Sequence, residues 1–143
     1  MPLVAMQDML ADASQRGYAI CYCESWNLES FQAVIEGAQE LGAPVIAGFN
    51  GGFLMHHSRS KPENLACYAG MASSVRNASV PVSLILNESD DFVQIASGID
   101  LGFNAVMVES QHLGFEDYKN LVKRVVSFGK DRGVFVEAQI GQL

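Results

Sequence analysis

Acidic side chains lie at or near the carboxyl ends of four predicted strands. Glu24 closes the first apolar run, Glu88 and Glu109 follow the third and fourth, and Glu137 lies within the fifth. The carboxyl ends of parallel strands share one edge, where ligands bind. Four carboxylates at one edge repel each other unless they are spread apart, protonated or bridged by a cation. The pattern therefore indicates a metal or cationic ligand, or else only polar loop residues and helix caps.

The same edge carries polar residues that could contact a substrate. Asn50 ends the second predicted strand and precedes Gly51 and Gly52, whose backbone N–H groups could face an anion. This loop matches neither the P-loop nor the dinucleotide motif, so phosphate binding is only weakly indicated. His112 follows the fourth strand and is a better candidate for a ligand than His56 and His57, because adjacent side chains seldom converge on one ion.

Short apolar runs alternate with segments of helical periodicity along the chain. This alternation predicts βα units and a parallel sheet covered by helices, because the strands are apolar throughout. It fits an open doubly wound sheet or part of a (β/α)8 barrel. The predicted strands are residues 18–23, 44–49, 80–86, 105–108 and 134–138, and the predicted helices are residues 3–16, 28–41, 60–75, 90–102 and 115–132.

Local signals predict the ends and buried faces of the helices. Asn27 is expected to cap the second helix, and Ser60 with Glu63 has the capping-box spacing that would open the third. The inward face of the last helix is expected to carry Phe115, Tyr118, Val122, Val125 and Val126.

Composition excludes several classes of partner. The chain has 143 residues, of which 49% are hydrophobic and 17% are charged, so it can bury a core. Its net charge is −7. An acidic chain without a lysine or arginine cluster argues against nucleic acid and anionic membranes. No basic N-terminal region or membrane-length apolar run is present, which favours a cytoplasmic protein. Three cysteines do not indicate a disulfide framework, and Cys21 and Cys23 are expected to be small hydrophobic side chains that are buried or face the interior of the barrel.

A collinear set of segments carries a family pattern: GYA (17–19), NLE (27–29), LGAPVI (41–46), VPV (80–82), IDLGFNAVM (99–107), HLGFE (112–116) and RGVFVEA (132–138). In this order they resemble the N-terminal half of the class II, metal-dependent fructose-bisphosphate and tagatose-bisphosphate aldolases. The resemblance implies an α/β fold, namely a partial TIM (β/α)8 barrel with its first five parallel strands and their helices. Residues 1–143 would form this part without an internal boundary.

The family's reaction is the reversible aldol cleavage of a ketose bisphosphate to dihydroxyacetone phosphate and an aldehyde. A divalent metal, usually zinc, polarises the ketone and stabilises the enediolate. The resemblance thus implies a lyase of carbohydrate metabolism and glycolysis. It also implies a divalent metal cofactor, a phosphorylated sugar substrate, a cytoplasmic location and a homo-oligomer.

The reaction-centre positions hold residues that differ from the family pattern. Where the family has H-x-D-H-G, this chain reads ILNES (85–89), with Asn87 at the catalytic acid and Glu88 at a metal histidine. An amide cannot take a proton at neutral pH, whereas a carboxylate can still bind zinc or a harder ion. The resemblance therefore assigns Asn87 to catalysis, Glu88, Glu109 and Glu137 to a metal, and Asn50 and His112 to substrate binding.

Three functions remain open at this point. The first is a class II aldolase-like lyase represented by its N-terminal part, because a full barrel needs roughly 250 residues. The second is a non-catalytic half barrel that binds or assembles with another chain. The third is a flavodoxin-like domain, which predicts an open sheet with the second strand in an outer position.

Overall fold

Five parallel strands form one sheet in the computed structural model, which describes residues 3–141. Their spatial order follows the chain, and every neighbouring pair is parallel. A flavodoxin-like sheet would place the second strand outermost, so that hypothesis is wrong, and the α/β arc of a barrel is confirmed. The strands are β1 (Tyr22–Glu24), β2 (Val45–Asn50), β3 (Val82–Ser89), β4 (Ala105–Val108) and β5 (Phe135–Ala138).

Helices alternate with the strands. They are α1 (Met6–Arg16), α2 (Leu28–Glu40), α3 (Gly51–Leu54), α4 (Leu65–Ala72), α5 (Phe92–Asp100) and α6 (Phe115–Lys130), with a 3-10 turn at Ser73–Asn77. Asn27 caps α2 as predicted, because its side chain accepts the Ser30 N–H and the Ser30 hydroxyl accepts the Asn27 N–H. Within the described range, no helix is long and apolar enough to cross a membrane.

The sheet separates two hydrophobic clusters. The outer cluster packs α2, α4, α5 and α6 against one face, with Phe31, Ile95 and Val125 fully buried. Burial of each such side chain stabilises the fold by roughly 1.5–3 kcal/mol. The inner cluster packs Met6 and Met9 of α1 against residues of β2, β3 and β4. Helix α1 therefore covers the inner face of the sheet.

Helix α1 lies near the amino-terminal end of the sheet because the segment before it pairs with the start of β3. Leu3 forms a parallel bridge with Val82, and the Val4 N–H donates to the Val82 carbonyl at 2.8 Å. This pairing explains why the helix begins at Met6 and not at Leu3 as predicted. The carboxyl ends of the strands remain open on the opposite side.

The predicted capping box at Ser60 and Glu63 is wrong. Helix α4 begins at Leu65, and the Asn64 side chain caps it by accepting the Ala66 N–H at 3.0 Å. Glu63 forms an ion pair with Arg59, and its backbone N–H donates to the Leu54 carbonyl. These contacts hold the segment before α4 in a non-helical conformation.

Several predicted burials and strand ends also need correction. Phe115 and Val126 are 63% and 46% exposed, because α6 turns Tyr118 and Val125 toward the sheet instead. Cys21 is exposed, since regular pairing in β1 begins only at Tyr22. Strand β3 continues through residues 87–89, so the polar residues predicted to follow the strand belong to it.

Gly48 provides a test of the sheet that supports the site. A Cβ added there would lie 1.9 Å from the carbonyl oxygen of Ile85, its neighbour across β2 and β3. We expect Gly48→Ala to lower the free energy of unfolding by about 2–3 kcal/mol, measured by urea denaturation. Gly37→Ala, in an open position of α2, should instead be neutral or stabilising by up to about 1 kcal/mol. Equal effects of the two substitutions would contradict this packing.

Candidate functional site

The side-chain amide of Asn50 joins two carboxylates at the carboxyl ends of the first three strands. Its Nδ2 donates to Glu88 Oε2 at 2.5 Å and to Glu24 Oε2 at 3.2 Å. Hydrogen bonds to an ionised acceptor are roughly twice as strong as neutral ones. We call Glu24, Asn50 and Glu88 the amide-linked triad.

The orientation of Asn50 follows from its second role as the N-cap of α3. Its Oδ1 accepts the Phe53 N–H at 3.1 Å, which leaves the NH2 group to face the carboxylates. An amide flipped by 180° would turn its oxygen toward two acids and lose the cap. The cap therefore determines which end of Asn50 faces the site.

Glu88 reaches the site through an unusual backbone conformation. Its φ is +49°, the only positive value among non-glycine residues in the described chain, and the β3–β4 register shifts between Leu86 and Ser89. The left-handed region costs an L-residue roughly 1–2 kcal/mol, and such strain often accompanies functional positions. The irregularity changes the side-chain alternation of β3, so Glu88 reaches Asn50 although Asn87 is the residue in register with it.

Ser89 and Gln94 form hydrogen bonds beside the strained backbone of Glu88. The Ser89 hydroxyl donates to Gln94 Oε1 at 2.5 Å, and Gln94 Nε2 donates to the Gly51 carbonyl at 3.0 Å. A Cβ at Gly51 would lie 2.8 Å from the Cβ of Ser89, which cannot move without its backbone, so a glycine is needed there. Sequence reasoning missed Gln94; its signal was a glutamine on the apolar face of α5.

Tyr22 is a second residue that sequence reasoning missed. It lies two positions before Glu24 on the same face of β1, and its hydroxyl donates to Glu24 Oε2 at 3.2 Å. Burial raises the pKa of Tyr22 far above its ordinary value, and the charge of Glu24 raises it further, while the nearby Asn87 amide lowers it. Tyr22 therefore remains a hydroxyl donor at neutral pH.

An open cleft of about 460 Å³ lies beside the triad, above β2, β3 and β4. Four of the six predicted site residues line it: Asn50, Glu88, Glu109 and His112. Its remaining lining residues are Gly51, Gly52, Phe53, Met55, His56, His57, Asp90, Gln94 and Gln111. The glycine loop and the adjacent histidines thus share one cleft with the predicted substrate residues.

Asn87 and Glu137 do not line the cleft. Asn87 pairs in register with Asn50 and is buried on the inner side near Tyr22. Glu137 on β5 pairs with Met107 on β4, so β4 lies between Glu137 and β3. The predicted roles of these two residues stay predictions.

The described residues do not assemble a metal centre. Within 3–141, no three His, Cys, Asp or Glu side chains are grouped so that they could hold an ion. Glu88 is bonded to Asn50, and Glu109 Oε1 accepts the N–H groups of Ser110 and Gln111 at 2.6 and 2.8 Å. The assignment of Glu88, Glu109 and Glu137 as metal ligands therefore stays a prediction.

Comparisons with known proteins agree with this geometry. The family model for class II fructose-bisphosphate aldolase matches residues 4–143. Fructose-bisphosphate aldolases of Staphylococcus epidermidis and Staphylococcus aureus are 37% and 36% identical over 141 residues, which are 99% of this chain and 49% of theirs. The crystal structure of the YdjI aldolase from Escherichia coli K12 superimposes with a TM-score of 0.84 at 28% identity, covering 97% of this chain and 51% of that one.

The polar residues at the carboxyl ends of the strands form the rim of the sheet. The α/β arc and this rim define part of an aldolase barrel, and the chain belongs to the class II fructose-bisphosphate aldolase family. The family resemblance inferred from the sequence is confirmed. The chain spans about half the length of the curated relatives that it matches.

The raised pKa of Tyr22 predicts a pH-dependent loss of stability. The pKa of Tyr22 is higher in the folded than in the unfolded chain. The contribution of Tyr22 to the free energy of unfolding is therefore fully present below about pH 10 and is lost as the pH rises further. Tyr22→Phe should therefore lose less stability than the parent chain between about pH 10 and 11.5, by at most about 1.4 kcal/mol per pH unit. Urea denaturation across this range measures the slopes.

Tyr18→Phe is the control for the Tyr22 experiment. Its pKa is raised mainly by a hydrogen bond to Asp12, away from the triad, and to a lesser degree by burial. This variant should change the alkaline slope less than Tyr22→Phe. Identical slopes for the parent chain and Tyr22→Phe would contradict the buried position of the hydroxyl.

Proposed function

We propose that this chain forms the first five strands of the reaction rim of a class II aldolase-like lyase that cleaves a phosphorylated ketose. The observation that carries the proposal is the Glu88 carboxylate, which lines the cleft and is oriented by the Asn50 amide. Family membership supports the reaction class. A cytoplasmic location and a homo-oligomeric state belong to the same proposal.

Glu88 is the group suited to proton transfer in this reaction. Aldol cleavage removes the proton of the hydroxyl on the carbon that becomes the aldehyde. The carbon–carbon bond then breaks, and its electron pair remains on the ketone half as an enediolate. Glu88 accepts the hydroxyl proton in the proposed reaction, because a carboxylate can act as a base and the Asn87 amide cannot. Asn87 serves the site as a hydrogen-bonding neighbour of Tyr22.

The family is generally metal-dependent, with zinc as its usual ion, but residues 3–141 do not assemble a complete ligand set. We therefore assign no step of the proposed reaction to a metal. Glu88, Glu109 and Glu137 stay the predicted ligands for a divalent ion, and substrate contacts by Asn50 and His112 are part of the proposal.

The test is cleavage of ketose phosphates by the purified chain. Production of dihydroxyacetone phosphate from a panel that includes fructose 1,6-bisphosphate is followed through NADH consumption by a coupling dehydrogenase. We expect cleavage of at least one ketose phosphate, and Glu88→Gln should lower kcat by about 100-fold or more, the usual effect of losing a general base. Glu36→Gln, on the exposed surface of α2, removes the same charge and should leave the rate unchanged.

A second arm restores the family residues with Asn87→Asp and Glu88→His together. A higher rate is expected in a full-length version of the protein, because a carboxylate at position 87 can accept and return a proton, which the Asn87 amide cannot. Failure of the parent chain to cleave any ketose phosphate would contradict the proposed function, and no gain from the double substitution would count against its ancestry.

The open sheet favours a non-catalytic half barrel as a second candidate. Strands β1 and β5 each pair on one side only among the described residues. Ile140, just after β5, is 88% exposed. Exposed strand edges and apolar side chains are typical of surfaces that bind another chain. A stable dimer by sedimentation without ketose phosphate cleavage would favour this assembly role over the lyase.

A further inference from the structure

The charge of the cleft determines whether a phosphorylated or an uncharged end of a substrate can bind there. Three of its lining residues are acids, Glu88, Asp90 and Glu109, and no lysine or arginine lines it within the described chain. Clefts lined by one sign of charge focus the field and select ligands of the opposite sign or of none. The cleft above β2 to β4 is therefore a poor site for a phosphate dianion.

Arg59 contacts the cleft wall, but it is not among the residues that line the cleft, and its Nε and Nη1 atoms already have partners. Its Nε donates to the Phe53 carbonyl at 2.7 Å, and its guanidinium pairs with Glu63. Five of the nine lysines and arginines lie in a different region, on α6 and just after it: Lys119, Lys123, Arg124, Lys130 and Arg132. The usual bidentate arginine–phosphate contact is therefore absent from the described cleft.

One wall of the cleft is apolar. Phe53 and Met55 line it and are 43% and 40% exposed, and Trp26 packs edge-on against Phe53 with ring centroids 4.8 Å apart. Trp26 itself is 56% exposed. An apolar wall opposite a few fixed polar groups is typical of a small-molecule site. The cleft can therefore also bind a ligand through apolar contacts.

We propose that this cleft binds the uncharged, polyhydroxylated end of the ketose, so that the substrate's phosphate lies away from strands β2 to β4. The inference rests on the proposed function and specifies its substrate as a ketose phosphorylated at one end. Carboxylate oxygens of Glu88 and Glu109 accept hydrogen bonds from hydroxyl groups, and the carbon chain lies along Phe53 and Met55. A phosphate at the same place would meet three negative charges without a cation.

The test compares binding of sorbitol and sorbitol 6-phosphate to the chain. These open-chain polyols differ only by the phosphate. Trp26, the sole tryptophan, reports binding through its fluorescence, and amide NMR shifts of residues 51–53 locate it. All titrations are run at the same pH of about 8. Sorbitol should bind at least about tenfold more tightly than sorbitol 6-phosphate, a difference of about 1.4 kcal/mol.

A pair of charge variants separates the local field from the net charge. Glu88→Gln with Asp90→Asn should reduce the discrimination to about threefold or less. Glu36→Gln with Glu40→Gln removes the same two charges from the exposed surface of α2 and should keep the discrimination of the parent chain.

Equal or tighter binding of sorbitol 6-phosphate at these amides would overturn the inference, and so would failure of sorbitol to bind there. Sorbitol binding that excludes the phosphate, in a chain that cleaves no ketose phosphate, would contradict the proposed function and leave the binding preference supported. The binding test needs no variant, so misfolding of the charge variants cannot obscure it.

Discussion

The hydrogen bonds of the Asn50 amide connect the parts of this rim. The oxygen accepts the Phe53 N–H of α3, and the nitrogen donates to carboxylates from β1 and β3. One side chain thereby links three strands and a helix. Because both ends of the amide have partners, the carboxylates of the triad are held in one arrangement. The cleft beside the triad takes its shape from this link.

A left-handed backbone and a buried polar side chain, each of which lowers stability on its own, occur beside the triad. Glu88 adopts a left-handed backbone, and Ser89 is buried with its hydroxyl bonded to Gln94. Such conformations persist only where the surroundings determine them from several sides. Here Gly48 and Gly51 leave the space that the neighbouring strand and Gln94 occupy. The rim is thus built by close backbone approach on one side and by a buried hydrogen-bond network on the other.

Much of the fold was predictable from the sequence, because it depends on local periodicity. Alternating apolar runs predicted all five strands and the parallel sheet, and collinear segments predicted the family. The rim position of Asn50, Glu88, Glu109 and His112 followed from the rule that parallel strands share their carboxyl ends. The same rule also predicted Asn87 and Glu137 as site residues, and these two do not line the cleft.

The remaining details depend on contacts between distant segments. The irregularity at Glu88 arises from the pairing of β3 with β4, so neither it nor the burial of Asn87 could be inferred from local pattern. Gln94 was missed because its partner, the Gly51 carbonyl, lies on α3. Tyr22 was missed although its partner Glu24 lies only two residues further along β1. The capping box at Ser60 failed because Asn64 offers a better cap, while the backbone of Glu63 is held by Leu54.

The link between Asn50 and Glu88 is measured most directly by a double-mutant cycle. The free energies of unfolding of the parent chain, Asn50→Ala, Glu88→Ala and the double variant are compared by urea denaturation at neutral pH. Because the cap on α3 and the strain at Glu88 cancel in the cycle, the remainder reports their mutual interaction. A charged hydrogen bond predicts a coupling of about 1.5–3 kcal/mol. Additivity within about 0.5 kcal/mol would contradict the account.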